Sequence, residues 1–376
     1  MKESQMNGVF RKKEETRKRI REICDFVGVP YCDVLCSKGN GEVFRCIYGE
    51  NATGKEYLRM YSCSKPVTAI AAMILVERGL LHFDDEAEKY IPELSGAFLI
   101  NGSGQKVFPR KKITVRHLLT MTAGFSYDVN TVPIRKLQKD NPFASLMVFI
   151  PAFVQSPLSF EPGEKFRYGL CYDVLAGVIE AAAEKKFSEF VKENIFQPLE
   201  MDDSYFDNRI ASCSEMYQAE ENGKISLADA KNHLILSQNY ESGGAGLIST
   251  VEDYAKFARF LARGGVNARG ERLLGESYLK LMASEQTEKI AIKNNFTCVQ
   301  GDDYCYGFGV RVRKRATDWG LPPGEYGWDG AAGSYLMIDP KNKISIVIGM
   351  NILGFPYVFS GKHTEIVHAI YNGLLQ

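Results

Sequence analysis

Apolar residues recur along this chain with two different periods, and the change of period divides it into three parts. Between residues 8 and 27, Phe10, Ile20, Ile23 and Phe26 stand among alternating charges, the pattern of an amphipathic surface helix. Two β-rich runs follow at residues 31–36 and 43–48. The Gly and Asn residues between them supply turn geometry, so the pair predicts a hairpin. A short strand is expected over residues 56–60, after which Val67, Ile70, Ala71, Ile74 and Leu75 keep the spacing of a buried helix up to Gly79. From about residue 82 to 263 the pattern is of helical segments, including 114–121, 173–184 and 251–263, separated by long loops. It turns β-rich again at residues 306–312, 334–338 and 344–350, the last two joined as a hairpin through residues 339–343, and residues 364–375 close as an amphipathic helix. Strands at both ends around a helical middle imply an α/β (α+β) fold. One antiparallel sheet flanked by helices would be built from residues 1–80 and 285–376, with a mainly helical domain, residues 81–284, inserted between. The cleft between the two is the expected place for an active site.

Composition narrows the function classes. At 376 residues, 45% hydrophobic and 24% charged, the chain has the make-up of a globular protein of enzyme size. Lys plus Arg equal Asp plus Glu at 46 each, so no basic field points to nucleic acid or an anionic membrane. Charges from Arg11 to Arg21 occupy the stretch where a secretory core would lie, and the richest apolar run, residues 69–76, is too short for a membrane span. A cytoplasmic location is expected. The nine cysteines include no Cys-x-x-Cys pair, so free thiols are expected rather than disulfides or zinc, with Cys63 and Cys171 as packing residues.

Ser62 and Lys65 are the first candidates for chemistry. A Ser-x-x-Lys at a helix start puts both side chains on one face, about 5–6 Å apart at Cβ. A lysine in a dry pocket can lose its proton and activate the serine hydroxyl. The tetrapeptide also arises by chance: Ser277-Tyr278-Leu279-Lys280 lies in a polar helical stretch and reads as surface. Ser62 differs in that Pro66 and a buried helix follow directly. Other hydrolytic signatures are missing, with no Gly-x-Ser-x-Gly elbow and no His-Glu-x-x-His pair. The five histidines are scattered, and His117 is expected to be a satisfied core residue. The glycine run at residues 243–246 lacks the spacing of a phosphate loop.

Further segments resemble, in order, those of the β-lactamase and penicillin-binding-protein superfamily, especially its class C branch and the related esterases and D-peptidases. Ser62-Cys63-Ser64-Lys65 is similar to that family's first motif, and residues 113–124 to the segment that follows it. Residues 161–170 resemble the lead-in to its Tyr-x-Asn motif, keeping Tyr168 but placing Leu170 where the family has asparagine. Residues 198–201 and 243–253 resemble further landmarks, the second near the active-site floor. Trp328-Asp329-Gly330-Ala331-Ala332-Gly333 corresponds to the Lys-Thr-Gly motif.

The resemblance implies a β-lactamase/transpeptidase-like fold, with Ser62 as nucleophile, Lys65 as its proton acceptor and Tyr168 as proton shuttle. A phenol near a cationic lysine is expected to have a lowered pKa. It further implies an oxyanion hole from the N–H groups of Ser62 and Ala331, and substrate contacts from Leu170, Trp328, Asp329 and Gly330. It calls for no metal and no cofactor. Tryptophan in place of the motif's cation, and leucine in place of its amide, favour small esters, uncharged amides or short peptides over carboxylate-bearing substrates. The expected activity is that of a serine hydrolase forming an acyl-serine intermediate, most simply a carboxylesterase. A β-lactamase, a D-amino-acid peptidase or amidase, an acyltransferase and a non-catalytic ligand-binding relative are the alternatives.

Overall fold

A computed structural model describes residues 12–206, 213–229, 232–287, 303–354 and 361–375. Its centre is a seven-stranded antiparallel sheet of β1 (Cys32–Lys38), β2 (Gly41–Tyr48), β3 (Tyr304–Tyr306), β4 (Arg311–Arg313), β5 (Tyr326–Asp329), β6 (Tyr335–Asp339) and β7 (Ile344–Met350). The order across the sheet is β2-β1-β7-β6-β5-β4-β3, so the N-terminal hairpin joins the C-terminal strands edge to edge. That junction is β1 against β7, with Cys32 opposite Met350 and Lys38 opposite Ile344.

Alternation of side chains sends each strand's apolar residues to two cores. Leu35, Leu336, Ile338 and Val347 face one side, where they pack with the helices of the middle of the chain. Val34, Met337, Ile346 and Ile348 face the other, covered by α1 (Lys13–Val27) and α5 (Lys362–Leu375). On the first side lie α2 (Ser64–Glu77), α3 (Cys171–Ala183) and α4 (Val251–Ala262). Every residue of α2 from Ser64 to Leu75 is buried, which is why its sequence is apolar all round.

Local differences from the sequence expectations have physical reasons. The β1–β2 turn is tighter than the polar stretch implied, because Ser37 and Lys38 still pair with Glu42 and Gly41, and Gly39 takes the left-handed conformation that the turn needs. The single strand expected at 306–312 is instead two strands, β3 and β4, paired antiparallel. A Cβ on Gly307 would lie 2.0 Å from the Met282 carbonyl and Gly309 has φ of +73°, so the chain reverses there. A strand over 326–329 was not expected, since its run is only four residues long. The helix α4, from the stretch assigned to the helical part, lies against β1, β6 and β7, while α2 from the N-terminal part lies against α3. The described cysteines are all free and, except for Cys213, buried; Cys298 and the start of the N-terminal helical pattern lie outside the described residues. No helix among the described residues is long and apolar enough to cross a membrane.

Candidate active site

Ser62 sits in a short 3-10 turn, Tyr61–Cys63, that feeds directly into α2. The turn is held in an uncommon geometry: Tyr61, a bulky residue, has φ of +45°. Ser64 braces it, its Oγ donating to the Tyr61 carbonyl at 2.5 Å and accepting from the Leu247 N–H at 2.9 Å. The result is a partly exposed Ser62 between two buried neighbours.

One helical turn on, Lys65 is fully buried and points back at Ser62. Its Nζ lies 2.9 Å from Ser62 Oγ, 3.0 Å from Tyr127 Oη and 2.7 Å from the Gly244 carbonyl. An ammonium would donate to all three. A neutral amine would donate to the carbonyl and to Tyr127, leaving its lone pair for the serine proton. Burial pulls the Lys65 ammonium down from 10.5 to about 7, against the opposing field of Asp173. The arrangement can therefore switch between donor and acceptor toward Ser62 near neutral pH.

Tyr168 lies over the same pair. Lys65 Nζ is 4.4 Å from the centre of its ring, and the Trp328 indole N–H donates to its hydroxyl at 3.1 Å. The expected lowering of this phenol's pKa is reversed. Burial pushes Tyr168 well above its ordinary value, and its hydrogen bonds with Ser62 and Trp328 only partly oppose that. The lysine cannot supply the compensating charge when its own ammonium is destabilised by the same dry surroundings. Tyr168 and Tyr127 meet edge to face at 5.5 Å. A Cβ on Gly169 would lie 2.2 Å from the Phe125 carbonyl, so glycine is what lets the two tyrosine-bearing turns touch.

The third segment is stitched to the first. Trp328, the next-to-last residue of β5, accepts at its carbonyl from Cys63 Sγ at 3.6 Å, and Ser334 Oγ donates to the Met60 carbonyl at 2.7 Å. A Cβ on Gly330 would come within 2.3 Å of that same carbonyl. Residues 328–334 thus lie along the turn that carries Ser62, with Ala331 exposed at its rim.

Two expected substrate contacts are placed elsewhere. Alternation along β5 turns Asp329 away from Trp328 to the other face, where it lies 3.8 Å from Arg311, and Tyr335 is its partner across the strands. Leu170 is buried in the core at the start of α3, where its carbonyl accepts from the Asp173 and Val174 N–H groups. Both shifts follow from strand and helix phase, which the motif alone does not convey. The Ser277–Lys280 match is a surface feature, Lys280 pairing with Glu276 at 2.9 Å between exposed side chains. His117 caps its own helix with Thr114.

Tyr127 and Asp173 were not expected from sequence, and the Gly244 segment, expected near the active-site floor, contributes through its carbonyl. Each contributes through a tertiary approach, and no fixed spacing ties any of them to Ser62. Among the described residues no cluster of three or more His, Cys, Asp or Glu side chains could hold a metal.

A family model described as Beta-lactamase matches residues 34–368. A putative D-alanyl-D-alanine carboxypeptidase of Escherichia coli is 24% identical over 366 residues, covering 86% of this chain and 79% of that protein. Among solved structures, EstCE1, described as a hydrolase with promiscuous acyltransferase activity, has a TM-score of 0.78 at 23% identity, covering 96% of this chain and 99% of its own. A LovD6 mutant of the simvastatin synthase LovD of Aspergillus terreus has a TM-score of 0.79 at 21% identity, covering 96% and 97%. These structures share the fold. With the match running from β1 into α5 and covering every segment around Ser62, the chain belongs to the beta-lactamase family.

Proposed function

We propose that the chain is a serine hydrolase, a carboxylesterase that forms an acyl-serine intermediate on an uncharged ester or amide. The observation that carries this reading is the 2.9 Å approach of a fully buried Lys65 Nζ to Ser62 Oγ. Once Lys65 has lost its proton, its lone pair faces the serine hydroxyl. It takes that proton as Oγ bonds to the substrate carbonyl carbon, and the carbonyl oxygen becomes an oxyanion. The N–H groups of Ser62 and Ala331 are the donors that the family resemblance assigns to that oxygen. Collapse breaks the bond to the leaving oxygen or nitrogen, which takes the Tyr168 proton, and the Lys65 ammonium replaces it. The Trp328 N–H supports Tyr168 while that proton is absent. Water then attacks the acyl-serine, giving a proton to the same pair; collapse breaks the acyl–Oγ bond, Oγ takes that proton back from the pair, and the acid leaves.

The neutral indole of Trp328, standing where carboxylate-binding relatives of the family place a cation, favours an uncharged substrate. The hydrolase activity stated for EstCE1 supports hydrolysis as the reaction. Mass spectrometry after exposure to a fluorophosphonate, p-nitrophenyl acetate and a penicillin tests the reading. Expected are a stable phosphonyl adduct on Ser62, turnover of the acetate but not the penicillin, and loss of both labelling and turnover in Ser62→Ala. Absence of labelling in the intact protein would refute it, and rapid penicillin turnover would replace the esterase with a β-lactamase.

A further inference from the structure

We infer that Asp173 is the positioning residue that keeps Lys65 basic enough to take the Ser62 proton, by placing a fixed buried negative charge behind the Gly244 peptide on which the lysine rests. The inference rests on reading Ser62 and Lys65 as the reacting pair. Asp173 lies in the first turn of α3 and is 1% exposed. Its Oδ1 accepts from Tyr240 Oη at 3.0 Å and from Ser242 Oγ at 2.5 Å. A Cβ built on Gly244 would lie 2.8 Å from Asp173 Oδ2 and 3.5 Å from Tyr127 Oη. Lys65, Tyr127 and Asp173 therefore converge on Gly244 from three separate elements, and only glycine leaves room for all of them.

Burial pushes the Asp173 carboxyl above its ordinary value, and the two hydroxyl donors on one oxygen, the Lys65 charge and a place in the first turn of a helix oppose that and favour the ionised carboxylate. The other groups around Lys65 do not supply an uncompensated anion. Burial pushes the Cys63 and Cys171 thiols up to about 12, so both stay neutral. Tyr127 and Tyr168 are pushed up as well and keep their protons. Asp329 faces Arg311. Asp173 is therefore the largest charge opposing the dry pocket, which by itself would drive Lys65 to be a poor base, and Asp329 adds a smaller one.

The test is the pH dependence of kcat/KM for p-nitrophenyl acetate in the intact protein, in Asp173→Asn and in Tyr240→Phe, each normalised to Ser62 titrated with fluorophosphonate. Removing the negative charge destabilises the Lys65 ammonium. The midpoint of the acid limb should then fall by about one pH unit or more in Asp173→Asn. The plateau should fall about tenfold because the free amine is a weaker base. Tyr240→Phe removes one of the donors that favour the ionised carboxylate, so its midpoint should move in the same direction as in Asp173→Asn, and less far. An unchanged midpoint in Asp173→Asn overturns the inference and leaves the hydrolase reading intact. A rise in Tyr240→Phe overturns it too, since a weakened anion cannot make Lys65 more basic, and this arm holds even where Asp173→Asn does not fold. Failure of Ser62 to label in the intact protein overturns both.

Discussion

Replacing Trp328 with phenylalanine would remove one hydrogen-bond donor from the site while keeping an aromatic ring in place. The indole is fully buried, stacked on Tyr168 at 5.8 Å and edge-on to Tyr306 at 5.3 Å, so a phenyl ring fills most of the same space. Its N–H meets Tyr168 Oη at 3.1 Å. A hydrogen bond to a neutral phenol contributes about 1 kcal/mol and one to a charged oxygen about 1.5–3 kcal/mol. The part that grows as Tyr168 gives up its proton is therefore about 0.5–2 kcal/mol, a loss of roughly 2- to 30-fold in rate. That loss should appear only where the leaving group needs a proton. Measured as kcat/KM per labelled Ser62, the ethyl ester of a given acid should slow by this factor, and the p-nitrophenyl ester, whose leaving anion is stable, should slow far less. Equal losses for the two esters would reduce Trp328 to a pocket wall, and no loss for either would remove Tyr168 from the role of acid.

For the intact protein, kcat/KM for p-nitrophenyl acetate should rise with pH through about 7 as Lys65 becomes the free amine, and a profile flat from pH 5 to 9 would contradict that assignment. The same shift affects stability. Lys65 is lowered from 10.5 to about 7 in the fold, so between those values the unfolded chain binds a proton that the folded chain does not, and stability rises with pH. Lys65→Met lacks this contribution: denaturant unfolding at pH 7 and pH 10 should find the native protein gaining on the variant at the higher pH, and a constant gap would be the contrary result. Gly330→Ala would put a Cβ 2.1 Å from Ser334 Oγ and 2.3 Å from the Met60 carbonyl. It should lower the melting temperature and cut Ser62 labelling together, whereas labelling at the native rate would show that the third segment need not rest on the serine turn.

The legible parts of the site were those that lie close in sequence. Ser62 and Lys65 are three residues apart on one helical turn, and Tyr168 is marked by its Pro-Gly lead-in, so each could be named from its surroundings. Tyr127 and Asp173 could not, because what brings them to Lys65 is the contact of Gly169 with Phe125 and of Gly244 with Asp173. Asp329 illustrates the opposite error. It adjoins Trp328 in sequence, yet in a strand successive side chains point to opposite faces, and only the register of β5 against β6 tells which face is the site.

Periodicity and turn residues by themselves determined most helices, the β1–β2 and β6–β7 hairpins and the α/β class, because these depend on contacts within a few residues and on a two-sided apolar pattern. The serine–lysine pair belongs with them. Tertiary structure alone decided the sheet order that sets β1 beside β7, the reversal that splits residues 304–313 into two strands, and the placing of residues 328–334 along the serine turn. It also decided the protonation of the site, lowering Lys65 and raising Tyr168 together. Those shifts come from burial by residues far apart in the chain, and no local pattern encodes how much water a folded pocket excludes.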